Sequence, residues 1–332
     1  MQSASKSATD GNLDSILKGK MPALGIDLGG TKILAAPVNE GRPLTEPIKE
    51  PTPCGGPQSI IAKLLELIER FQKDYILAGV GISTAGIVNP DTGEILGSTG
   101  NLPGWTGTHL KQILESKTLL PVHVENDANS AAYAEASVRD LSDKEGVVLI
   151  TIGTGIGGGI LMKGQLYRGE HFAAGECGHI RIALNNQRLC TCGLFDCWEA
   201  YASGRGLLAT AKEVLSEKTK EQSPLVHALN ELTTQTIISA AGKGDLLARK
   251  IMHIWHEHLC AGIASIAQTL DPDCFILTGG LSKFVDFDLL HELLKDRTQP
   301  HIAANLKIYM SKLGDLAGMI GAAQIVLDRI SV

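Results

Sequence analysis

One layout occurs twice in this chain, and it narrows the possible folds more than any other feature. Ala23 to Ala36 (ALGIDLGGTKILAA) reads as an apolar strand, a glycine turn carrying Thr31, and a second apolar strand ending at Pro37. Val148 to Lys163 repeats it: apolar residues to Ile152, the turn Gly153-Thr154-Gly155, then Gly157-Gly158-Gly159-Ile160-Leu161. The second copy satisfies the dinucleotide spacing G-x-G-x-x-G at Gly153, Gly155 and Gly158, but that fingerprint has meaning only where the glycines open a helix. Here Gly159 to Met162 continues as strand and Lys163-Gly164 turns again, which argues against a Rossmann dehydrogenase. Two copies of one layout imply two similar α/β halves closing on a cleft, with the paired glycine hairpins cradling a polyphosphate.

The 332 residues, 44% of them hydrophobic, suffice for two ordinary soluble domains. A net charge of -6 argues against nucleic acid or an anionic membrane as partner. No apolar run approaches the ~20 residues of a membrane span. Met1 to Lys20 is polar and lacks the apolar core of a signal peptide, so a disordered tail on a cytoplasmic protein is expected, too short for a helix-turn-helix domain.

Polar residues collect where the expected strands end. Asp27 closes the first, where a carboxylate can reach a phosphate-bound Mg²⁺ through water. Gly29, Gly30, Thr31 and Lys32 offer backbone N–H groups, a hydroxyl and a cation to phosphate oxygens, although a plain hairpin with a charged tip explains them equally. Ala78 to Ser83, a buried strand, opens onto Thr84-Ala85-Gly86. Asn101 sits in a loop and suits either a turn or a substrate hydroxyl. Pro121 to Glu125 is a strand running into Asn126-Asp127-Ala128-Asn129, ahead of the helical run Ala131 to Val138. That is where α/β sheets bind ligands. Asp127 can take a proton from a hydroxyl while Asn126 holds its neighbour; a helix cap would need one of these residues, not all. The strand from Cys274 leads to Gly279-Gly280, where the backbone can pass close to a base or ribose.

Seven cysteines in a chain of this size argue against a disulfide framework. His179, Cys190, Cys192 and Cys197 supply the ligand number of a closed tetrahedral zinc site, bracketed by Glu176 and Glu199. Cys54, Cys177, Cys260 and Cys274 are expected as buried thiols. Of His253, His256 and His258, positions 253 and 258 do not share a face of their helix (Leu247 to Leu270), so a surface or interface role is expected there rather than metal.

Taken together and in this order, Asp27-Leu28-Gly29-Gly30-Thr31-Lys32, Glu125-Asn126-Asp127-Ala128-Asn129, the Gly153 to Gly159 turn, Gly175-Glu176-Cys177-Gly178-His179 and the Cys190/Cys192/Cys197 cluster resemble the ROK family of sugar kinases, in the sugar kinase/actin/Hsp70 ATPase superfamily. The resemblance covers nearly everything after the tail. It implies an α/β fold of two ribonuclease-H-like (actin-like ATPase) domains flanking a cleft: residues 22–127 with 315–332, and residues 128–314 carrying the zinc loop, after a tail over residues 1–21. It implies ATP-dependent phosphorylation of a hexose at the 6-hydroxyl, glucose first and N-acetylglucosamine or N-acetylmannosamine second, or else a non-catalytic sugar-responsive regulator. Asp127 would be the base; Gly86, Asn101, Asn126, Glu176, His179 and Glu199 would bind the sugar. Asp27, Gly29, Gly30, Thr31, Lys32, Gly153, Thr154, Gly155, Gly279 and Gly280 would hold ATP with its Mg²⁺. His179, shared with the sugar, and Cys190, Cys192 and Cys197 would hold structural Zn²⁺. Family members are often dimers or tetramers. Two departures stand out: the family usually has glycine where Asp196 stands and an aliphatic residue at Cys177, so Asp196 is expected to alter the zinc loop or compete near the metal.

Overall fold

The computed structural model describes residues 21–98, 100, 102–216, 223–227 and 231–330. Residues 1–20 of the expected tail and Asn101 lie outside them. The chain divides into two compact units, residues 1–143 with 164–174 and 312–332, and residues 144–163 with 175–311.

The first unit is built on a sheet in the order β3 (Arg42–Pro43), β2 (Lys32–Asn39), β1 (Ala23–Leu28), β5 (Gly79–Thr84), β8 (Val122–Asn126), with β4 (Ile48–Pro51) also on β2. β1 pairs antiparallel with β2 and parallel with β5, which pairs parallel with β8. Alternation along β1 assigns its faces. Leu24, Ile26 and Leu28 join the apolar stripe of helix α1 (Pro57–Asp74), which contributes Ile60, Leu64, Leu67, Ile68 and Phe71, together with Leu110 and Leu114 of α2 (Leu110–Thr118). The hairpin β6 (Ile87–Asn89) and β7 (Glu94–Gly97) lies between β5 and α2 in sequence. Ala23, Gly25 and Asp27 face the other way, toward the C-terminal helix Ala317–Ile330.

That helix lies unusually low on the sheet. A Cβ on Gly25 would sit 2.1 Å from the Met319 carbonyl oxygen, and one on Gly81 2.0 Å from that of Ala322. The small residues of β1 and β5 therefore admit its backbone, and its N-terminal turn comes down on Asp27 and Ser83. The strand expected to end at Pro37 runs on to Asn39; Pro37 serves the pairing through its carbonyl, which accepts from Leu44 N–H at 2.8 Å.

The second sheet runs β11 (Gln165–Leu166), β10 (Ile156–Met162), β9 (Gly146–Ile152), β12 (Cys274–Thr278), β13 (Lys307–Met310). β9 is antiparallel to β10 and parallel to β12, which is parallel to β13. This repeats β3-β2-β1-β5-β8 strand for strand, as the duplicated layout required. Lys163 and Gly164 both have positive φ, 52° and 72°, at the two-residue hairpin turn where the sequence put a turn. The core of this unit packs Val148, Ile150 and Ile152 with Trp198, Trp255 and the apolar face of the helix Leu246–Leu270.

Three expectations need correction. The boundary placed after residue 127 falls instead at residue 143, because the helix that Asp127 opens (α3, Asp127–Ser137) packs on the C-terminal helix of the first unit: a Cβ on Gly321 would meet the Ser130 carbonyl at 1.8 Å. Cys54 is exposed, not buried. His256 is a core residue, Nε2 facing Asp286 N–H at 2.8 Å and Nδ1 near Met252 O at 2.7 Å, whereas His253 on the same helix is exposed, as expected. Among the described residues no helix is long and apolar enough to cross a membrane.

Candidate active site

In the first unit, β1, β5 and β8 are parallel, so their C-terminal ends share one edge of the sheet. That edge carries Asp27, Thr84 to Gly86, and Asn126-Asp127, as α/β binding edges do. Asn126 has extended backbone and caps α3: its Oδ1 accepts from Ala128 N–H (2.9 Å) and Asn129 N–H (3.1 Å), while its Nδ2 donates to the Gly86 carbonyl (3.0 Å). Capping is thus met by Asn126, which leaves Asp127 at the first helical position with an exposed side chain, one oxygen accepting from Ala128 N–H at 2.8 Å. Gly86 has φ 110°, and a Cβ there would meet the Gly97 carbonyl at 2.3 Å, so only glycine holds this loop beside Asn126.

Asp27 accepts from Ser83 Oγ at 2.7 Å. Burial under the C-terminal helix raises its carboxyl above the ordinary range, outweighing the Ser83 hydrogen bond and the Lys32 charge. The hairpin tip is closed by Gly29 N–H on the Lys32 carbonyl (3.0 Å) and braced by Thr52, which donates to the Gly29 carbonyl through Oγ1 (2.6 Å) and to the Thr31 carbonyl through its N–H (3.1 Å). Lys32 is engaged by Asp315 at 2.5 Å.

The second unit gathers the remaining candidates. The ligand atoms of His179, Cys190, Cys192 and Cys197 all lie within 4.8 Å of one another. Cys192 Sγ is 3.7 Å from Cys197 Sγ, and Cys190 Sγ is 3.6 Å from His179 Nδ1. A tetrahedral zinc with bonds of about 2.3 Å to sulfur has edges of about 3.8 Å, so the quartet fits that ion. His179 turns its other ring nitrogen, Nε2, toward Glu176 at 3.5 Å, the carboxylate–imidazole arrangement that orients metal-bound histidine. Burial is the main reason the Glu176 carboxyl is raised.

Glu199 is fastened at both oxygens. Oε2 accepts from Ile156 N–H at 2.9 Å; Oε1 accepts from Thr191 Oγ1 at 2.6 Å and Arg205 Nη2 at 3.3 Å. Gly155 is glycine because a Cβ there would lie 2.2 Å from that Oε2. Glu199 therefore ties the glycine turn to the cysteine loop at Thr191. Gly153 and Thr154 keep backbone contacts with Gly204 N–H (2.8 Å) and Arg205 Nε (3.3 Å). Gly279, at φ 90°, passes so close to Ile152 that a Cβ would meet its carbonyl at 2.6 Å; Gly280 next to it is open. The structure thus brings the Gly153 turn and Gly279-Gly280 together at the shared edge of β9 and β12. Cys177 packs against Gly158, whose Cβ would meet its sulfur at 2.6 Å.

The profile of the ROK family matches residues 23–329. The chain belongs to the ROK family. It is 35% identical over 314 residues to a glucokinase of Streptomyces coelicolor, covering 92% of this chain and 97% of that one. It is 31% identical over 312 residues to an N-acetyl-D-glucosamine kinase of Vibrio atlanticus, covering 90% and 97%. Among solved structures it is similar to a ROK glucokinase of Streptomyces griseus in complex with glucose and AMPPNP, with a TM-score of 0.74 and 32% identity over 92% of this chain and 98% of that one.

Against the usual ROK pattern, Asp196 answers the question its position raised. Its φ is 61°, the left-handed conformation that suits the family's glycine. Its carboxylate is wholly buried and turned to backbone: Oδ2 accepts from Asn186 N–H (2.7 Å), and Oδ1 from Gln187 and Arg188 N–H (3.0 Å each) and Tyr201 Oη (2.7 Å). Burial would raise this carboxyl, but the four donors hold it at about 2. With its oxygens turned to these donors, Asp196 pins the start of the loop that carries Cys190, Cys192 and Cys197. Sequence reasoning also missed Arg168, which grips Glu125, and Asp315 on Lys32, since neither belongs to a local pattern.

Proposed function

We propose that this ROK protein is a sugar kinase that transfers the γ-phosphoryl group of ATP to the 6-hydroxyl of a hexose, with glucose as the preferred acceptor. The observation that carries the reading is the near full-length likeness to a ROK glucokinase solved with glucose and AMPPNP. Asp127 accepts the hydroxyl proton, its exposed carboxylate fixed at the head of α3. Asn126, Glu176 and His179 orient sugar hydroxyls; Glu199 fixes the loop that carries Thr191. Asp27 acts toward the Mg²⁺ of MgATP, and the glycine turns at Gly29-Gly30, Gly153 to Gly155 and Gly279-Gly280 give backbone room to the nucleotide. Phosphoryl transfer then needs alignment and charge neutralisation more than covalent chemistry from the protein.

His179, Cys190, Cys192 and Cys197 would hold a zinc ion with all four positions filled by protein, so what it supplies when bound is loop structure. Metal analysis of the purified chain should return about one zinc per chain.

A coupled ADP-release screen over glucose, mannose, fructose, N-acetylglucosamine and N-acetylmannosamine tests the reading. The highest kcat/KM should fall to glucose. The 31% identity to an N-acetyl-D-glucosamine kinase supports that sugar as the second reading, and a maximum there would select it. Sugar binding with no ADP release would overturn the kinase assignment.

A further inference from the structure

We propose that the buried Glu125–Arg168 ion pair positions the catalytic base: it fixes the backbone at Asn126 and so aims the carboxylate of Asp127. The inference rests on Asp127 being the base of the proposed reaction. Glu125 is only 1% exposed, and four donors meet its two oxygens. Oε2 takes Arg168 Nη2 at 2.6 Å and Nε at 2.9 Å; Oε1 takes Asn126 N–H and Asn129 Nδ2, both at 3.1 Å. His123 Nε2 lies 3.6 Å from Oε2 and has no hydrogen bond of its own. The carboxylate thus holds the residue before the base and a side chain in the first turn of the helix the base opens. With Asn126 Nδ2 on the Gly86 carbonyl, Asn126 is gripped through both main chain and side chain.

The guanidinium closes two donors at fixed angle on Oε2, so Arg168 fixes the position of that oxygen as well as neutralising the charge, while Oε1 is left to Asn126 and Asn129. The arginine is itself held, its carbonyl accepting from Ala174 N–H at 3.0 Å, and its segment continues into Gly175 and Glu176. A buried ion pair is a poor means of stabilising a fold, because desolvation cancels most of the attraction and an apolar pair fills the same space. Its geometry is what an apolar pair cannot reproduce.

The experiment replaces the pair by apolar residues of similar size, Glu125→Leu with Arg168→Met, in the full chain, beside Arg168→Lys and Asp127→Asn. Thermal melting should show the double variant folded. Amide exchange should then accelerate about tenfold or more in the peptide spanning Asn126 and nowhere else, and kcat should fall about tenfold or more with KM for ATP within about threefold, as expected for a base displaced by a fraction of an ångström. Arg168→Lys, which keeps the charge but loses the fork, should fold yet recover little of the kcat. Wild-type exchange at Asn126 together with wild-type kcat in the double variant would overturn the proposal. If the double variant does not fold, Arg168→Lys decides: wild-type kcat there would overturn it equally. Should Asp127→Asn keep full turnover, the base assignment fails separately, and the exchange measurement still decides whether the pair holds Asn126.

Discussion

Asn126 and Asp127 divide two duties: either residue type can cap a helix, but only the aspartate can accept a proton. The amide oxygen of Asn126 serves the orphan N–H groups of the helix, which frees Asp127 from capping. Asp127→Asn keeps that local shape and removes the proton acceptor, so turnover should fall at least ~10²-fold while calorimetry finds glucose binding within a few-fold of wild type. Turnover near wild type would remove Asp127 from the mechanism. Asp196→Gly relieves a left-handed backbone but withdraws the acceptor from three N–H groups and Tyr201. A chelator should therefore strip zinc faster from the variant; unchanged retention would show that the loop holds itself. At this scale local spacing disclosed placement: Asp127 stands at the head of a helix and His179, Cys190, Cys192 and Cys197 lie together. It concealed Arg168, because the partner of a buried carboxylate can come from anywhere in the chain and leaves no periodic trace. Nor did it show that Lys32, expected on phosphate, and Glu199, expected on sugar, have protein partners: Asp315 for the first, Ile156, Thr191 and Arg205 for the second.

The C-terminal helix shows how an element can depend on residues that look like weaknesses. Gly318 and Gly321 are poor helix formers, yet a Cβ on Gly321 would meet the Ser130 carbonyl at 1.8 Å and one on Gly318 would meet Asp27 Oδ1 at 2.8 Å. Alanine gains about 1 kcal/mol of helix propensity over glycine, but a backbone clash of that depth should outweigh it. Gly321→Ala is expected to lower stability by about 2 kcal/mol or more in urea unfolding, the scale of overpacking. An unchanged or higher midpoint would contradict the close seating of the helix on α3. Long elements were legible because their apolar periods are long: the helix over Leu246–Leu270 and the strand over Ala23–Leu28 lie where the pattern puts them. The short strands Arg42–Pro43, Ile48–Pro51 and Gln165–Leu166 were not, since two to four residues cannot establish a period.

Across the whole molecule, the duplicated hairpin was the reliable guide, because strand order follows once both halves are known to start alike. The division into units was harder to read: it turns on which helix packs with which, and α3 joins the first unit through contacts at Gly321 that no linear pattern announces. Acid sensitivity also belongs to this scale. Burial would raise the Glu125 carboxyl, but His123 beside it and the Arg168 guanidinium hold it down at about 2 against an ordinary 4.5. A depressed carboxyl contributes stability fully above its unfolded value and loses it as pH falls toward the folded one. Between about pH 4.5 and 2 the chain should therefore lose on the order of 3 kcal/mol from this group. Urea unfolding should find the gap between wild type and Glu125→Gln narrowing through that window; a constant gap would show that the pair does not titrate as described.

Transfer of phosphate to one oxygen of a hexose leaves its signature in the phosphorus NMR spectrum of the product. With glucose and MgATP, the new resonance should couple to the C6 protons and grow as ATP is consumed. A product phosphorylated at another position, or ATP consumed with inorganic phosphate as the sole product, would rule out a 6-phosphotransferase.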